Sequence, residues 1–256
     1  MSDRIHAHVP YPMLADNLAA VTARGVNPEV HFSGEALDSL VPEKLIAVAN
    51  TLNTTGLRST IHAPFVDLNP GSAERLIREA TRHRLNQVID AAAILTPDVI
   101  VFHPGYDRWR YGESQDIWLA HSIETWGWVL ERTEPIGCTV AVENIFEEEP
   151  STLKALLEEI DHPRFRHCFD VGHWNLFHTV GMEEWFDAMG RFVAEAHIHD
   201  NFGTRDDHLP LGEGTIDFDI FFSLMARHAP QAVWTIEAHC PATLDRALVA
   251  IERYRK

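Results

Sequence analysis

Short apolar segments alternate with longer helical patterns eight times along this chain of 256 residues. The apolar segments have the length and composition of buried strands. They lie at residues 5–9, 29–32, 59–63, 99–103, 140–144, 165–170, 194–199 and 233–237. Strands that alternate with helices at this spacing predict βα units and a parallel sheet.

The helical patterns repeat their apolar residues at three- and four-residue spacing. They lie at residues 13–24, 42–54, 73–95, 115–131, 151–160, 182–190, 218–228 and 242–253. Helix starts are marked by capping residues or first-turn prolines at Pro42, Ser72, Ser151 and Asp217. Eight βα units in about 250 residues have the size of a (β/α)₈ TIM barrel. We therefore predict an α/β fold with one domain over residues 1–256.

A doubly wound open sheet is the alternative architecture for the same alternation of elements. It would require a glycine-rich turn after the first strand. The segment HAHVPYPM at that position contains no glycine, which favours the closed barrel.

Composition narrows the partners and the compartment. The formal charge is −17, from 21 basic and 38 acidic residues, and no basic run offers a nucleic acid backbone a binding stripe. No apolar run approaches the roughly 20 residues of a membrane helix, and the start MSDRIHAHVPYP lacks a secretory signal. Cys138, Cys168 and Cys240 cannot all pair, which indicates a reducing compartment. We expect a cytoplasmic protein with a small-molecule substrate; its oligomeric state stays open.

Ligand-type side chains follow most of the predicted strands at their carboxyl ends, where (β/α)₈ barrels build their sites. They are His6 and His8, His62, His103, Glu143, Asp170 and His173, His197 and His199, and Glu237 and His239. One histidine at a strand end has an ordinary structural explanation. Such residues at six consecutive strands predict one shared site.

The segment AEAHIHDNFGTRDDHLPLGEGTIDF, residues 194–218, concentrates the same chemistry. A solvated acidic loop would explain Asp206 and Asp207, but not the histidines that interleave with them, including His208. Neutral imidazole and carboxylate are preferred ligands of divalent metals. The segment therefore predicts a metal site.

Four carboxylates, Glu143, Asp170, Asp206 and Glu237, would crowd into one barrel mouth. Carboxylates at a site of low dielectric cannot all stay ionised without compensation. Two or three divalent cations per chain are the expected compensation. The mixture of histidine and carboxylate suits zinc, manganese or iron better than calcium or magnesium. We expect no organic cofactor.

The segments IHAPF, FHPG, VEN, FDVGH, HIHDN, DDHLPLGEG and TIEAH, in this order, carry a family resemblance. Over about residues 60–240 the chain resembles the xylose isomerase-like TIM barrel superfamily, also called AP endonuclease family 2. That superfamily contains DNA endonuclease IV, sugar isomerases and epimerases, and small-molecule phosphodiesterases, including enzymes that cleave cobamides. The resemblance implies a metal-dependent enzyme.

The endonuclease IV pattern implies three metals. Its ligands would be His62 and His103 on the first, Glu143 bridging to the second, Asp170, His197 and Glu237 on the second, and His173, Asp206 and His208 on the third. The isomerase pattern implies only Glu143, Asp170, His197 and Glu237 around one metal, with the two glutamates moving protons and His173 contacting substrate.

The five additional ligands favour a phosphodiesterase that acts on a small or nucleotide-like phosphoester, cobamide-like compounds included. In that enzyme Glu143 would position two metals and Glu237 would orient the attacking water. A sugar isomerase or epimerase is the alternative, and a barrel that binds metal without turnover is a third class. The connection from His197 to Asp206 is shorter than in endonuclease IV, which, with the acidic composition, argues against DNA cleavage.

Substrate contacts are expected from the loops. Arg108 and Arg110 flank Trp109 in GYDRWRYGES, a combination suited to phosphate binding and ring stacking. A plain surface loop explains that segment equally well. His8 and Trp174 are further candidate substrate contacts.

Residues next to the ligands are assigned supporting roles. Alternation along the strands is taken to direct His199 and His239 away from the site, so both are expected to be structural. Asn144 and Asp200 are expected to fix ligand orientation through hydrogen bonds. The tryptophans of ETWGWVL, Trp126 and Trp128, are expected to pack a helix against the barrel.

Overall fold

Eight parallel strands close into a barrel in the computed structural model, which describes residues 4–255. The strands are β1 Ile5–Pro10, β2 Asn27–His31, β3 Thr60–His62, β4 Val99–Phe102, β5 Thr139–Glu143, β6 Phe165–Asp170, β7 Val193–Ile198 and β8 Val233–Ile236. The strand β1 pairs with β2 on one side and with β8 on the other. This closure confirms the predicted (β/α)₈ barrel and excludes the open sheet.

Helices surround the strands. They are α1 Tyr11–Asp16, α2 Leu18–Thr22, α3 Gly34–Asp38, α4 Pro42–Thr55, α5 Arg75–Leu95, α6 Arg108–Tyr111, α7 Gln115–Thr133, α8 Ser151–Ile160, α9 Val171–Phe177, α10 Met182–Met189, α11 Phe218–His228 and α12 Pro241–Ile251. The helix predicted at residues 13–24 is interrupted at Asn17, whose backbone is not helical and whose side chain bonds the carbonyl of Met13. The helices α3, α6 and α9 were not predicted because four to seven residues are too few to show a helical period.

Two of the four predicted helix starts agree with the structure. Asp217 caps α11 by accepting a hydrogen bond from the backbone of Ile220, and Pro42 occupies the first turn of α4. The prediction for Ser72 is wrong, because α5 begins after Glu74, whose carboxylate caps it. Ser151 is the first residue of α8 rather than its cap.

The main apolar core lies between the strands and the helices. Trp118, Trp126 and Trp185 are fully buried there, and Trp126 contacts Phe102 of β4 at 5.4 Å between ring centroids. Trp128 is half-buried against the same core. Trp126 and Trp128 therefore pack α7 on the barrel as predicted. Within residues 4–255 no helix is long and apolar enough to cross a membrane.

The interior of the barrel changes from apolar to polar along its axis. A small cluster of Val99, Val101, Ala141 and Cys168 fills one level. Another level holds Glu195, whose Oε1 accepts hydrogen bonds from the hydroxyls of two buried threonines. Burial, followed by the nearby charge of a second glutamate, raises the pKa of Glu195 to about 8. This polar level lies next to the candidate site.

His167 on β6 is a buried neutral histidine on the helix-facing side of the barrel. Its Nδ1 donates to the carbonyl of Val142 at 2.9 Å, and its Nε2 accepts from the indole of Trp185 at 3.4 Å. Burial lowers the pKa of His167 to about 4. Because the unfolded chain binds the proton at about pH 6.5, the folded state loses relative stability as the pH falls from there to about 4.

We therefore expect His167→Gln to flatten the pH dependence of stability. His167 accounts for about 3 kcal/mol of the decrease in the free energy of unfolding between pH 6.5 and 4, because one unit of pKa shift corresponds to about 1.4 kcal/mol. Urea unfolding at several pH values measures it. His83→Gln, at an exposed position on α5, is the control and should retain the wild-type slope. An unchanged slope in His167→Gln would contradict the account.

Candidate metal centre

The centre of the site is the Nδ1 atom of His197 on β7. It lies 3.4 Å from Oε2 of Glu143, 3.7 Å from Oδ2 of Asp170 and 3.5 Å from Oε1 of Glu237. These carboxylates come from β5, β6 and the end of β8, so β7 and its neighbours place four ligand-type groups around one point. Among the described residues this buried Nδ1 forms no hydrogen bond. A buried imidazole nitrogen that faces three carboxylates is suited to sharing a cation with them.

Glu143 extends the cluster towards β3 and β4. Its Oε2 lies 3.3 Å from Nε2 of His62 and 3.4 Å from Nε2 of His103. Its Oε1 lies 3.0 Å from Nδ1 of His173. One carboxylate therefore contacts four imidazoles, including that of His197.

A second group lies on the side of the loop after β7. Nε2 of His208 lies 3.0 Å from Oδ2 of Asp206, and Nε2 of His173 lies 3.6 Å from the same oxygen. Nδ1 of His208 lies 3.5 Å from Oε2 of Glu237. All nine side chains predicted as metal ligands thus form one continuous cluster, although their roles as ligands stay a prediction.

Charge balance in the cluster comes from imidazoles. Burial by itself raises the pKa of Glu143, of Asp170 and of Glu237, but neighbouring histidines outweigh it and hold all three pKa values below the usual range. The strongest such partners are His197 for the two glutamates and His173 for the aspartate. The carboxylates are ionised at neutral pH and hence able to bind a cation.

The histidines respond in the opposite direction. Burial lowers the pKa of His197, of His173 and of His208, yet the surrounding carboxylates raise each above its ordinary value, that of His208 to about 8. His103 differs, because burial dominates and its pKa is lowered. Without a cation the cluster holds protons on its imidazoles; a divalent metal would replace those protons.

The donor set fits a divalent metal. Several groups of three histidines and carboxylates have ligand atoms within 4.8 Å of one another, among them His62 with Glu143 and His197. Metal–ligand bonds of about 2.0–2.2 Å separate neighbouring ligand atoms by roughly 3 to 3.5 Å, close to the distances around His197. The mixture of nitrogen and oxygen donors suits zinc, manganese or iron.

The expectation that His199 and His239 point away from the site is wrong. Residues two apart on a strand share a face, so His199 points inward with His197, and His239 shares the face of Glu237. Nε2 of His199 lies 3.2 Å from Oδ1 of Asp170, and its ring stacks on His208 at 4.0 Å. His239 is exposed and stacks on the other side of His208 at 4.2 Å. The period of two would have assigned both correctly.

Glu29 on β2 was not singled out in the sequence. It is fully buried, and its two oxygens contact His8 and His197 at 3.1 Å each. Burial raises the pKa of Glu29, but the neighbouring histidines outweigh it and hold that pKa well below the usual range. His197 contributes most, followed by His8. His31, two residues further, stacks on His8 at 5.1 Å. An acidic residue at the start of a predicted buried strand was the available signal.

Asp200 organises the loop that carries Asp206 and His208. Its Oδ2 accepts hydrogen bonds from the backbone of Gly212 and Gly214 at 2.9 and 2.8 Å. Its Oδ1 accepts two further backbone hydrogen bonds, and its backbone pairs with Leu209 in both directions. His208 adopts a left-handed backbone with φ of 49°, a conformation that needs such support in a non-glycine residue. Asp200 thus acts on His208 through the loop.

Asn144 joins the ends of β5 and β6. Its side chain donates to the carbonyl of Asp170 and accepts from the Asp170 amide, each at 2.9 Å. Oδ1 of Asp170 in turn accepts from the amide of His173 at 2.6 Å and caps α9. Asn144 therefore fixes the backbone of Asp170, whose carboxylate remains with the histidines.

The candidate substrate contacts differ in their surroundings. His8 lies inside the cluster, with Nδ1 3.5 Å from Oε1 of Glu237. Arg108 pairs with Glu148 at 2.8 Å and lies over the exposed ring of Trp109, so its charge is already compensated. Arg110 is exposed. Trp174 is half-buried and stacks on His178 at 4.0 Å. Of these candidates, His8 is the one with a direct contact to a proposed ligand.

The closed barrel, with imidazoles and carboxylates gathered at the carboxyl ends of its strands, has the architecture of barrel enzymes. The chain belongs to the xylose isomerase-like TIM barrel family, whose model matches residues 16–255. This confirms the resemblance found in the sequence motifs.

Curated relatives include the protein MJ1311 of Methanocaldococcus jannaschii, 32% identical over 168 residues that cover 62% of this chain and 56% of that protein. A probable endonuclease 4 of Mycobacterium leprae is 26% identical over 216 residues, 80% of this chain and 82% of the relative. The chain covers 50% to 64% of the length of the first three relatives it matches.

Solved structures of the same fold include a D-tagatose 3-epimerase-like protein, with a TM-score of 0.85 at 22% identity over 98% of this chain and 96% of that one. A Thermus thermophilus protein, TTHB071, soaked with ZnCl₂, has a TM-score of 0.81 at 23% identity, with 98% of both chains covered. At these identities the likeness concerns the fold.

Gly172, at the start of α9, leaves room for the ring of His199. A Cβ atom at this position would overlap that ring. We expect Gly172→Ala to lower the free energy of unfolding by about 1–3 kcal/mol through overpacking, measured by urea denaturation. Gly127→Ala in α7, where a Cβ meets open space, is the control and should raise it by about 0.5–1 kcal/mol. Equal effects of the two substitutions would contradict the packing argument.

Proposed function

We propose that this protein is a metal-dependent sugar isomerase or epimerase in which Glu143 and Glu237 move protons. The observation that carries the proposal is the group around His197, whose Nδ1 faces both glutamates and Asp170 at 3.4 to 3.7 Å. These four residues would hold one divalent metal. The metal would supply Lewis-acid chemistry, lowering the energy of the negative charge that develops on the substrate's carbonyl oxygen.

The two glutamates flank the group from opposite sides, because β5 and β8 bracket the strands of Asp170 and His197. A general base must be ionised before it accepts a proton, and the histidines that surround Glu143 and Glu237 keep both pKa values low. One glutamate takes the proton from the carbon beside the carbonyl. Return of that proton to the former carbonyl carbon, with the hydroxyl proton moving to the carbonyl oxygen, isomerises the sugar. Inversion of the centre instead requires the other glutamate to carry a proton, which it delivers to the opposite face while the first glutamate keeps the proton it removed.

Electrostatics favour an uncharged substrate. Within residues 4–255 the ion pairs of Glu143, Asp170 and Glu237 all have histidine partners, so no arginine or lysine supplies a fixed positive charge to them. Arg108, the candidate phosphate ligand, is paired with Glu148. A neutral polyol meets less repulsion here than a phosphate does. The epimerase-like structure with the same fold supports the proposal by analogy.

Phosphodiester hydrolysis is the second candidate function. A specific observation favours it: five more ligand-type side chains join the cluster than one metal requires. They are His62, His103, His173, Asp206 and His208. Additional cations held by these residues would supply the positive charge that a phosphate needs. The relatives named as probable endonuclease 4 support this candidate.

Metal content separates the two candidates. For the isomerase we expect one zinc, manganese or iron ion per chain after purification without chelators, measured by elemental analysis. We expect His208→Ala to keep that ion and to lose less than about tenfold in kcat/KM, because it lies outside the group around His197. Asp170→Asn should lose the ion in either case.

The control for these variants is His121→Ala on α7, remote from the barrel mouth, which should match the wild type. The isomerase would be rejected in favour of hydrolysis if the wild-type protein held two or three ions per chain and His208→Ala lost one of them together with most of the activity. Activity screens should begin with neutral ketoses and aldoses in the first case and with phosphodiesters in the second.

A further inference from the structure

One buried carboxylate on β2 lies between a proposed metal ligand and a residue of the barrel mouth. The Oε1 atom of Glu29 is 3.1 Å from Nδ1 of His8, and its Oε2 atom is 3.1 Å from Nε2 of His197. The parallel register pairs His8 of β1 directly with Glu29, and all three side chains point into the barrel. A carboxylate accepts hydrogen bonds and has none to donate, so both rings must donate to it.

This contact decides the tautomer of His197. A proton on Nε2, donated to Glu29, leaves the lone pair on Nδ1. That atom is the one that faces Glu143, Asp170 and Glu237. The ring therefore cannot present its other nitrogen to the metal without losing the hydrogen bond to Glu29.

The same carboxylate decides the tautomer of His8. A proton on Nδ1, donated to Glu29, leaves Nε2 as an acceptor. Within residues 4–255 the contacts of His8 with Glu29 and Glu237 both use Nδ1, and its side chain keeps 23% of its surface exposed. Stacking on His31 at 5.1 Å holds the plane of the ring. The Nδ1 atom thus carries the contacts with Glu29 and Glu237, and Nε2 is left as the acceptor of the partly exposed ring.

We infer that Glu29 is a positioning residue that orients His197 towards the metal and His8 towards the substrate, where Nε2 of His8 accepts a hydrogen bond from a substrate hydroxyl. An acceptor nitrogen binds a hydroxyl group and disfavours an anionic phosphate oxygen. The inference rests on the metal centre of the proposed function and narrows its substrate to a compound with a hydroxyl near the reacting carbon.

The variant Glu29→Gln tests the first role. Glutamine keeps the shape, but its amide group donates where the carboxylate accepted, so only one of the two rings keeps its acceptor. We expect the dissociation constant for Zn²⁺, measured by calorimetric titration of the metal-free protein, to rise by roughly 10- to 100-fold. The matched control is Glu147→Gln, a carboxyl equally buried that bonds the backbone of Ile145 rather than a histidine; it should bind Zn²⁺ within about threefold of wild type.

The outcomes distinguish the inference from the proposed function. A wild-type protein that does not bind Zn²⁺ rejects the metal centre itself. If the wild-type protein binds Zn²⁺ and Glu29→Gln binds it with the same dissociation constant, the role of Glu29 is overturned and the metal centre stands. Equal losses in Glu29→Gln and Glu147→Gln overturn it as well, because the loss would then reflect burial rather than ring orientation.

Nitrogen-15 NMR of the Zn²⁺-bound wild-type protein tests the orientation directly and does not depend on whether the variant folds. Two-bond proton–nitrogen correlations report which ring nitrogen carries the proton. We expect a protonated Nδ1 in His8 and a protonated Nε2 in His197. A His8 ring with its proton on Nε2 and none on Nδ1 would overturn the inference, because Glu29 would then not determine the tautomer. If Glu29 only filled space in the barrel, it would not hold the proton on Nδ1.

Discussion

The burial of three ionised carboxylates around one imidazole is the interaction on which the rest of the site depends. Glu143, Asp170 and Glu237 are almost wholly removed from solvent, and His197 contacts all three. Removing a carboxylate from water is costly unless a positive charge or hydrogen-bond donors replace the water. The barrel supplies imidazoles, whose protons a metal can displace, instead of arginines, whose charge is permanent.

The surrounding structure is organised to hold those rings in place. The apolar core lies mainly outside the strands, between them and the helices, which leaves the interior free for polar groups. Glu29 bonds the ring of His197, Asn144 fixes the backbone of Asp170, and Asp200 holds the loop of His208. Each of these residues bonds a side chain or segment that reaches the cluster from a different strand. The precision of the cluster therefore depends on the whole barrel.

The two proposed chemistries share the group around His197. Proton transfer beside a carbonyl needs that group and a glutamate that is ionised, whereas phosphoester hydrolysis needs further cations at His62, His103 and His208. The charge of the mouth separates the two, since the site's own residues provide no permanent positive charge for an anion. Arg108 and Glu148, on the loops around the mouth, form an ion pair with each other instead.

The sequence by itself determined the barrel and the ring of histidines and carboxylates at its mouth. Strand segments are recognisable from local apolar periodicity, and residues such as His62, His103 and Glu143 stand out because all parallel strands end at one edge. Tertiary structure alone decided which atoms meet. The contacts of Glu29 with His8 and His197 depend on barrel closure and on strand register, which no local pattern encodes. The same holds for the hydrogen bonds of Asp200, which join positions 12 and 14 residues apart in a loop without periodicity.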